Sequence, residues 1–175
     1  MEQILEIAKY ILPSLVVFGS VYYVMNTLLA NEQRKLRLEL NKANQRNITP
    51  LRLQAFERLV LFLERISPEN LLLRVHRPGM TTKELQMEML ASIRTEFEHN
   101  LAQQIYMTDK AWTVITSAKE NMVKLVNTSA ERLNPQAPAI ELSKLIIQMM
   151  MSVEESPIKT AIELVKDEVR EIYEV

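Results

Sequence analysis

The chain has 175 residues, with 21 basic and 22 acidic side chains, a net charge of −1 and no cysteine. That balance excludes the basic face on which nucleic-acid binding depends, so no nucleic acid is expected as a partner. The lack of cysteine excludes disulfides and thiolate chemistry, and two glycines leave no Gly-rich phosphate loop and little scope for turn-rich β structure.

Residues 11–30, ILPSLVVFGSVYYVMNTLLA, carry no formal charge. As a helix they extend about 30 Å, the thickness of a bilayer's hydrocarbon core. The stretch reads as a transmembrane anchor with Ile11, Leu12, Leu15, Val16, Val17, Phe18, Gly19, Val21, Val24, Leu28 and Leu29 among lipid, which makes the bilayer the first expected partner. The leader, with Glu2, Glu6 and only Lys9, lacks the basic start of a cleaved signal peptide. Ser14, Ser20, Asn26 and Thr27 keep the segment moderately hydrophobic and leave a buried soluble helix as the alternative. Arg34, Lys35, Arg37, Lys42 and Arg46 follow the segment and Lys9 precedes it, so the positive-inside rule places the N-terminus outside and the body in the cytoplasm. Gly19 and Ser20 form a small patch, but without a full small-xxx-small pair the simple lipid-facing anchor is preferred.

Residues 31–47 are polar, glycine-free and rich in helix formers, with Leu36, Leu38 and Leu40 too sparse for a core-facing stripe. They read as a solvated helical stalk. The body, 48–175, then shows repeated helix starts. Thr49-Pro50, Ser67-Pro68 and Ser156-Pro157 each put a hydroxyl before a proline at the first helical position. Thr81 with Glu84 forms a capping box, and Thr108-Asp109 is a further start.

Helices are predicted over 50–66, 68–75, 82–106, 109–133, 138–153 and 157–173. The first has Leu53, Phe56, Val60 and Leu63 on one stripe, widened by Leu59 and Phe62. In the third, Leu85, Met89, Ile93, Phe97, Leu101 and Ile105 recur every four residues, so the stripe drifts around the axis. The fourth carries Trp112, Ile115, Met122, Val126, Ala130 and Leu133 on one side. The helix over 138–153 is apolar almost all round, which makes it either central or covered by another subunit. Over 157–173, Ile158, Ile162, Val165, Val169 and Ile172 repeat in a heptad-like seam, for which packing on the chain's own bundle is the preferred reading. If a partner covers this end of the chain, Leu145, Ile147, Met150 and Met151 join that seam as the interface. Ten methionines fit either a Met-rich core or a plastic partner groove.

Candidate chemistry is sparse. Glu96 and His99 make one Glu-x-x-His pair, half of what a di-metal bundle needs from two helices, and His76 lies in a turn sequence. A metal-dependent enzyme or metal-binding bundle using Glu96 and His99 is thus the alternative reading. With no nucleophile elbow and no phosphate loop, neither a catalytic residue nor a cofactor is expected. A peripheral lipid-binding body is disfavoured by the near-zero net charge.

Through LRLQAFERLVLFLERISPENLLLRVH at 51–76 and EFEHNLAQQIYM at 96–107, the chain resembles an uncharacterised family of short bacterial proteins with one N-terminal transmembrane helix. The resemblance covers nearly the whole chain and implies the architecture and a bacterial inner membrane, with no site residue attached. The expectation is an all-α protein: anchor at 1–30, stalk at 31–47 and a compact cytoplasmic bundle of about five to six helices at 48–175. It is expected to bind other proteins as a scaffold or assembly subunit, to self-associate as a homo-oligomer, and to have no catalytic activity.

Overall fold

The computed structural model describes the backbone of residues 2–152 and 156–173, and the side chains there except those of 2–14, 16, 41–45 and 47. Among these residues lie α1 (Glu2–Ile66), α2 (Pro68–Val75), α3 (Thr82–Asn100), α4 (Asp109–Glu131), α5 (Ala139–Met151) and α6 (Pro157–Tyr173). A 3₁₀ helix, Leu101–Tyr106, joins α3 to α4. The all-α expectation holds, since backbone pairing outside helices is limited to a bridge between Thr81 and Pro138 among the described residues.

The chain divides into two compact units, Met1–Thr49 and Pro50–Val175. In the first, α1 is the only element described. Leu15, Val17, Phe18, Val21, Val24, Leu28 and Leu29 are all exposed on it. No helix among the described residues is long and apolar enough to cross a membrane, so the transmembrane helix expected over 11–30 finds no support there. The part of that stretch whose side chains are described, Leu15 with residues 17–30, is shorter than a bilayer span, and Glu32 and Arg34 follow it. The side chains of Ile11, Leu12 and Val16 lie outside the described residues. The helix start expected at Thr49-Pro50 is absent, because α1 continues through it to Ile66. Pro50 has no N–H, so the carbonyl of Arg46 is left without its usual amide partner.

In the second unit the core is built on Phe56, Leu59, Phe62, Leu63 and Ile66 of α1, all within 2% of full burial. Leu53, expected on that stripe, is 41% exposed, while Ile66 completes the face instead. Leu71, Leu72 and Val75 of α2, Leu85, Met89 and Ile93 of α3, and Ile115, Met122 and Val126 of α4 close around it. Of the three adjacent leucines in α2, Leu71 and Leu72 are buried and Leu73 points to solvent. Phe62, Phe97 and Trp112 form an aromatic relay with centroids 5.8 and 5.6 Å apart. The Lys119 ammonium stands 4.7 Å from the Phe97 centroid. The four-residue repeat of α3 stops at Asn100, beyond which three residues per turn carry Leu101 and Ile105 to the surface.

Helix N-termini are closed with care. At α3, Thr81 N–H donates to the Glu84 carboxylate at 2.8 Å, and Glu84 N–H donates to the Thr81 hydroxyl at 3.2 Å. Thr82 N–H and Lys83 N–H donate to the carbonyls of Ala137 and Pro135. All four amides that a helix start leaves without an internal acceptor are therefore satisfied. The Thr81 amide, then its hydroxyl, hold the Glu84 carboxyl below its ordinary value. Ser67 behaves differently from its expected capping role: its hydroxyl donates backward to the Glu64 carbonyl at 2.7 Å.

These burials predict a contrast that urea unfolding measures. Phe62→Ala should cost about 3–5 kcal/mol, since it empties a fully buried aromatic site. Leu53→Ala, on the same helix, should stay within about 0.5 kcal/mol.

Candidate functional site

Glu168 occupies a position of α6 that the apolar pattern reserves for the core, and it is buried. Its carboxylate meets the start of α4. Thr108 N–H donates to Oε1 at 3.0 Å, and the Thr108 hydroxyl donates to Oε2 at 2.9 Å. The same hydroxyl accepts the Ala111 N–H at 3.2 Å, so Thr108 caps α4 as its sequence implied. A buried negative charge thus sits at the positive end of a helix dipole, with both oxygens hydrogen-bonded.

Two depressions meet near this contact. One, of about 1000 Å³, is lined by Glu64, Glu69, Glu163, Asp167, Glu168 and Glu171, set against Lys110 and Lys159. The other, of about 310 Å³, is apolar, with Met122, Leu125, Met149, Met150, Pro157 and Ile158 on its walls. Both share Pro68, Met150, Ser156 and Ile158. None of the lining residues is a histidine, so their hydroxyls have no imidazole base among the described residues. Such a surface can hold an apolar or basic group.

Glu96 is placed differently from a metal ligand. Its carboxylate receives Arg74 Nη1 at 2.7 Å and Arg65 Nη1 at 3.1 Å, joining α1, α2 and α3. Partial burial opposes its charge, but the hydrogen bonds and charges of Arg65 and Arg74 outweigh that and hold the carboxyl below its ordinary value. His99 is exposed. No group of three or more His, Asp or Glu able to hold a metal ion occurs among the described residues.

The expected interface residues separate into two groups. Ile158, Ile162 and Val165 are buried, and Val169 and Ile172 are partly buried against the same core. That seam packs within the chain's own bundle, α6 against α4, with Val169 and Ile172 at its partly open end. On α5, Leu145 and Met150 are half-buried, while Ile147 and Met151 face solvent, Met151 at 84%. The helix is neither uniformly buried nor uniformly apolar on its surface: Leu142, Ser143 and Ile146 point inward.

Sequence reasoning missed the Arg65–Glu96–Arg74 cluster, the Arg52 donation to the Tyr106 carbonyl at 3.0 Å, and the Glu168–Thr108 contact. For Glu168 a signal existed: it follows Val165 by three residues and precedes Ile172 by four, on the buried stripe.

Two outcomes follow. Glu168→Ala should destabilise by about 1–3 kcal/mol through the orphaned Thr108 groups, and Glu168→Gln by less, as read by thermal unfolding. For Glu96, the folded state favours the ionised carboxyl. Its contribution is therefore full above the ordinary value of 4.5 and lost as pH falls through the lowered folded value. Wild type should exceed Glu96→Gln in stability at pH 7, and urea titrations should show the gap closing toward pH 3.

No curated protein and no solved structure matches the chain. The profile of a family of unknown function, DUF7935, matches residues 2–172. The chain, nearly its whole length covered, belongs to that family of unknown function.

Proposed function

We propose that the chain is a membrane-anchored helical subunit that acts by binding proteins, a second copy of itself first, and performs no catalysis. One observation carries the reading: Leu15, Val17, Phe18, Val21, Val24, Met25, Leu28 and Leu29 of α1 are exposed around its circumference. A helix apolar on all sides is stable where lipid or another protein covers it. The uncharged run continues back to Ile11, which gives the length a bilayer needs. The Lys and Arg residues after the run support an N-terminus outside and a cytoplasmic body. The resemblance to short bacterial membrane proteins supports a bacterial inner membrane.

The binding role rests on the second unit. Its core is closed and its partly buried Glu96 and buried Glu168 are engaged between helices, while Ile147 and Met151 remain uncovered on α5. Those two side chains, with Met150 at the edge of the apolar depression, are the bundle's surface for a partner.

Alkaline carbonate extraction of membranes holding the full chain tests the anchor. The protein should stay in the pellet, and release into the supernatant overturns the anchored reading. Light scattering in mild detergent tests association: a protein mass of at least two 20.3 kDa chains is expected. A strict monomer that also crosslinks to nothing in native membranes overturns the binding role.

A further inference from the structure

We infer that α1 pairs with α1 of a second copy as a parallel, in-register, two-stranded coiled coil whose seam runs through Asn26, Leu29, Gln33, Leu36 and Leu40. The inference rests on the self-association proposed above and names its surface, orientation and register. The five positions follow one another at spacings of 3, 4, 3 and 4 residues, the alternation that keeps one stripe facing a partner helix. Tyr22 and Gly19 extend the same stripe backward by 4 and 3 residues. Read by heptad, Leu29 and Leu36 take d positions, and Asn26, Gln33 and Leu40 take a positions.

Among the described residues of the first unit α1 is the only element, and Leu36 and Leu40 stand 61% and 58% exposed on it. A lone solvated helix of this composition is marginal in water, and a second helix along the leucines removes that problem. The space beside Gly19 is open, with nothing within 4 Å of where a Cβ would stand, which permits close helix approach at the start of the seam.

Charge selects the second copy and its direction. Glu32 precedes the seam residue Gln33 at a g position, and Arg37 follows Leu36 at the e position five residues on. In a parallel, in-register pair, g of one helix faces that next e of the other. Glu32 therefore meets Arg37 of the second copy, and the two-fold axis repeats the pair. Neither side chain has an ion-pair partner in its own chain among the described residues. An antiparallel pair centred on this stretch opposes Glu32 to Glu39 instead. Polar residues at a positions, Asn26 and Gln33 here, satisfy their amides across the seam only when each meets its own counterpart, which specifies register.

The chain has no cysteine, so each introduced thiol is unique. Leu36→Cys on the seam and Leu38→Cys on the opposite face are made in the full-length protein and oxidised in membranes with copper–phenanthroline. Because a disulfide needs Cβ atoms within about 4.5 Å, Leu36→Cys should give about tenfold more covalent dimer than Leu38→Cys. Equal crosslinking of the two variants overturns the seam. Absence of dimer from Leu36→Cys, with the unsubstituted chain still oligomeric by light scattering, overturns the seam and leaves self-association standing. A monomeric unsubstituted chain overturns both.

Discussion

The closing of helix ends by groups from other segments is the constraint on which the second unit depends. With two glycines in the chain and a positive φ only at Gly79 among the described residues, local turns can do little of this work. The start of α3 is instead closed by carbonyls of the segment before α5, and the Met80 carbonyl accepts the Ala139 N–H at 2.9 Å in return. The start of α4 is closed by Glu168 from α6. Each exchange fixes two helices at once. These exchanges tie α3 to α5 and α4 to α6 in a chain that has no cysteine for a disulfide. Buried amides left open would each cost about 1–3 kcal/mol, comparable to a good share of a domain's net stability.

The same economy extends to side chains inside the bundle. The carboxylates that look reactive in composition are engaged: Glu168 at a helix start, Glu96 between two guanidiniums, Glu84 in its capping box. Buried hydroxyls of Ser129 and Ser143 return to carbonyls of their own helices, and Thr82 Oγ1 is a buried hydroxyl without a partner. Apolar side chains left exposed include Leu73 of α2, Met87 of α3, Ile147 and Met151 of α5, and the run along α1.

The helices were largely legible because their signals are local. Thr81-x-x-Glu84 and Thr108 announced two N-termini, and both caps form as written. The core of α1 was legible through Phe56, Leu59, Phe62 and Leu63, spaced to share a face. Failures came where local signals compete. Thr49-Pro50 has the residues of a helix start, yet helix formers on both sides carry α1 through it. Ser67 has a capping side chain, yet the nearby Glu64 carbonyl is the acceptor it meets.

What the sequence by itself determined is the helical class, most helix ends and the apolar faces, since propensity, caps and periodicity act over a few residues. What only the tertiary structure decided is which face meets which. Ile158, Ile162 and Val165 have the same spacing as a free coiled-coil seam, and only the presence of α4 across from them makes that seam internal. Glu96 and His99 sit three residues apart in sequence, but Arg65 and Arg74 arrive from two other helices, 31 and 22 positions away, to claim the carboxylate. Glu168 and Thr108 are 60 residues apart. Charge pairing across such distances leaves no periodic mark in a chain, because its partners are chosen by the fold and not by spacing.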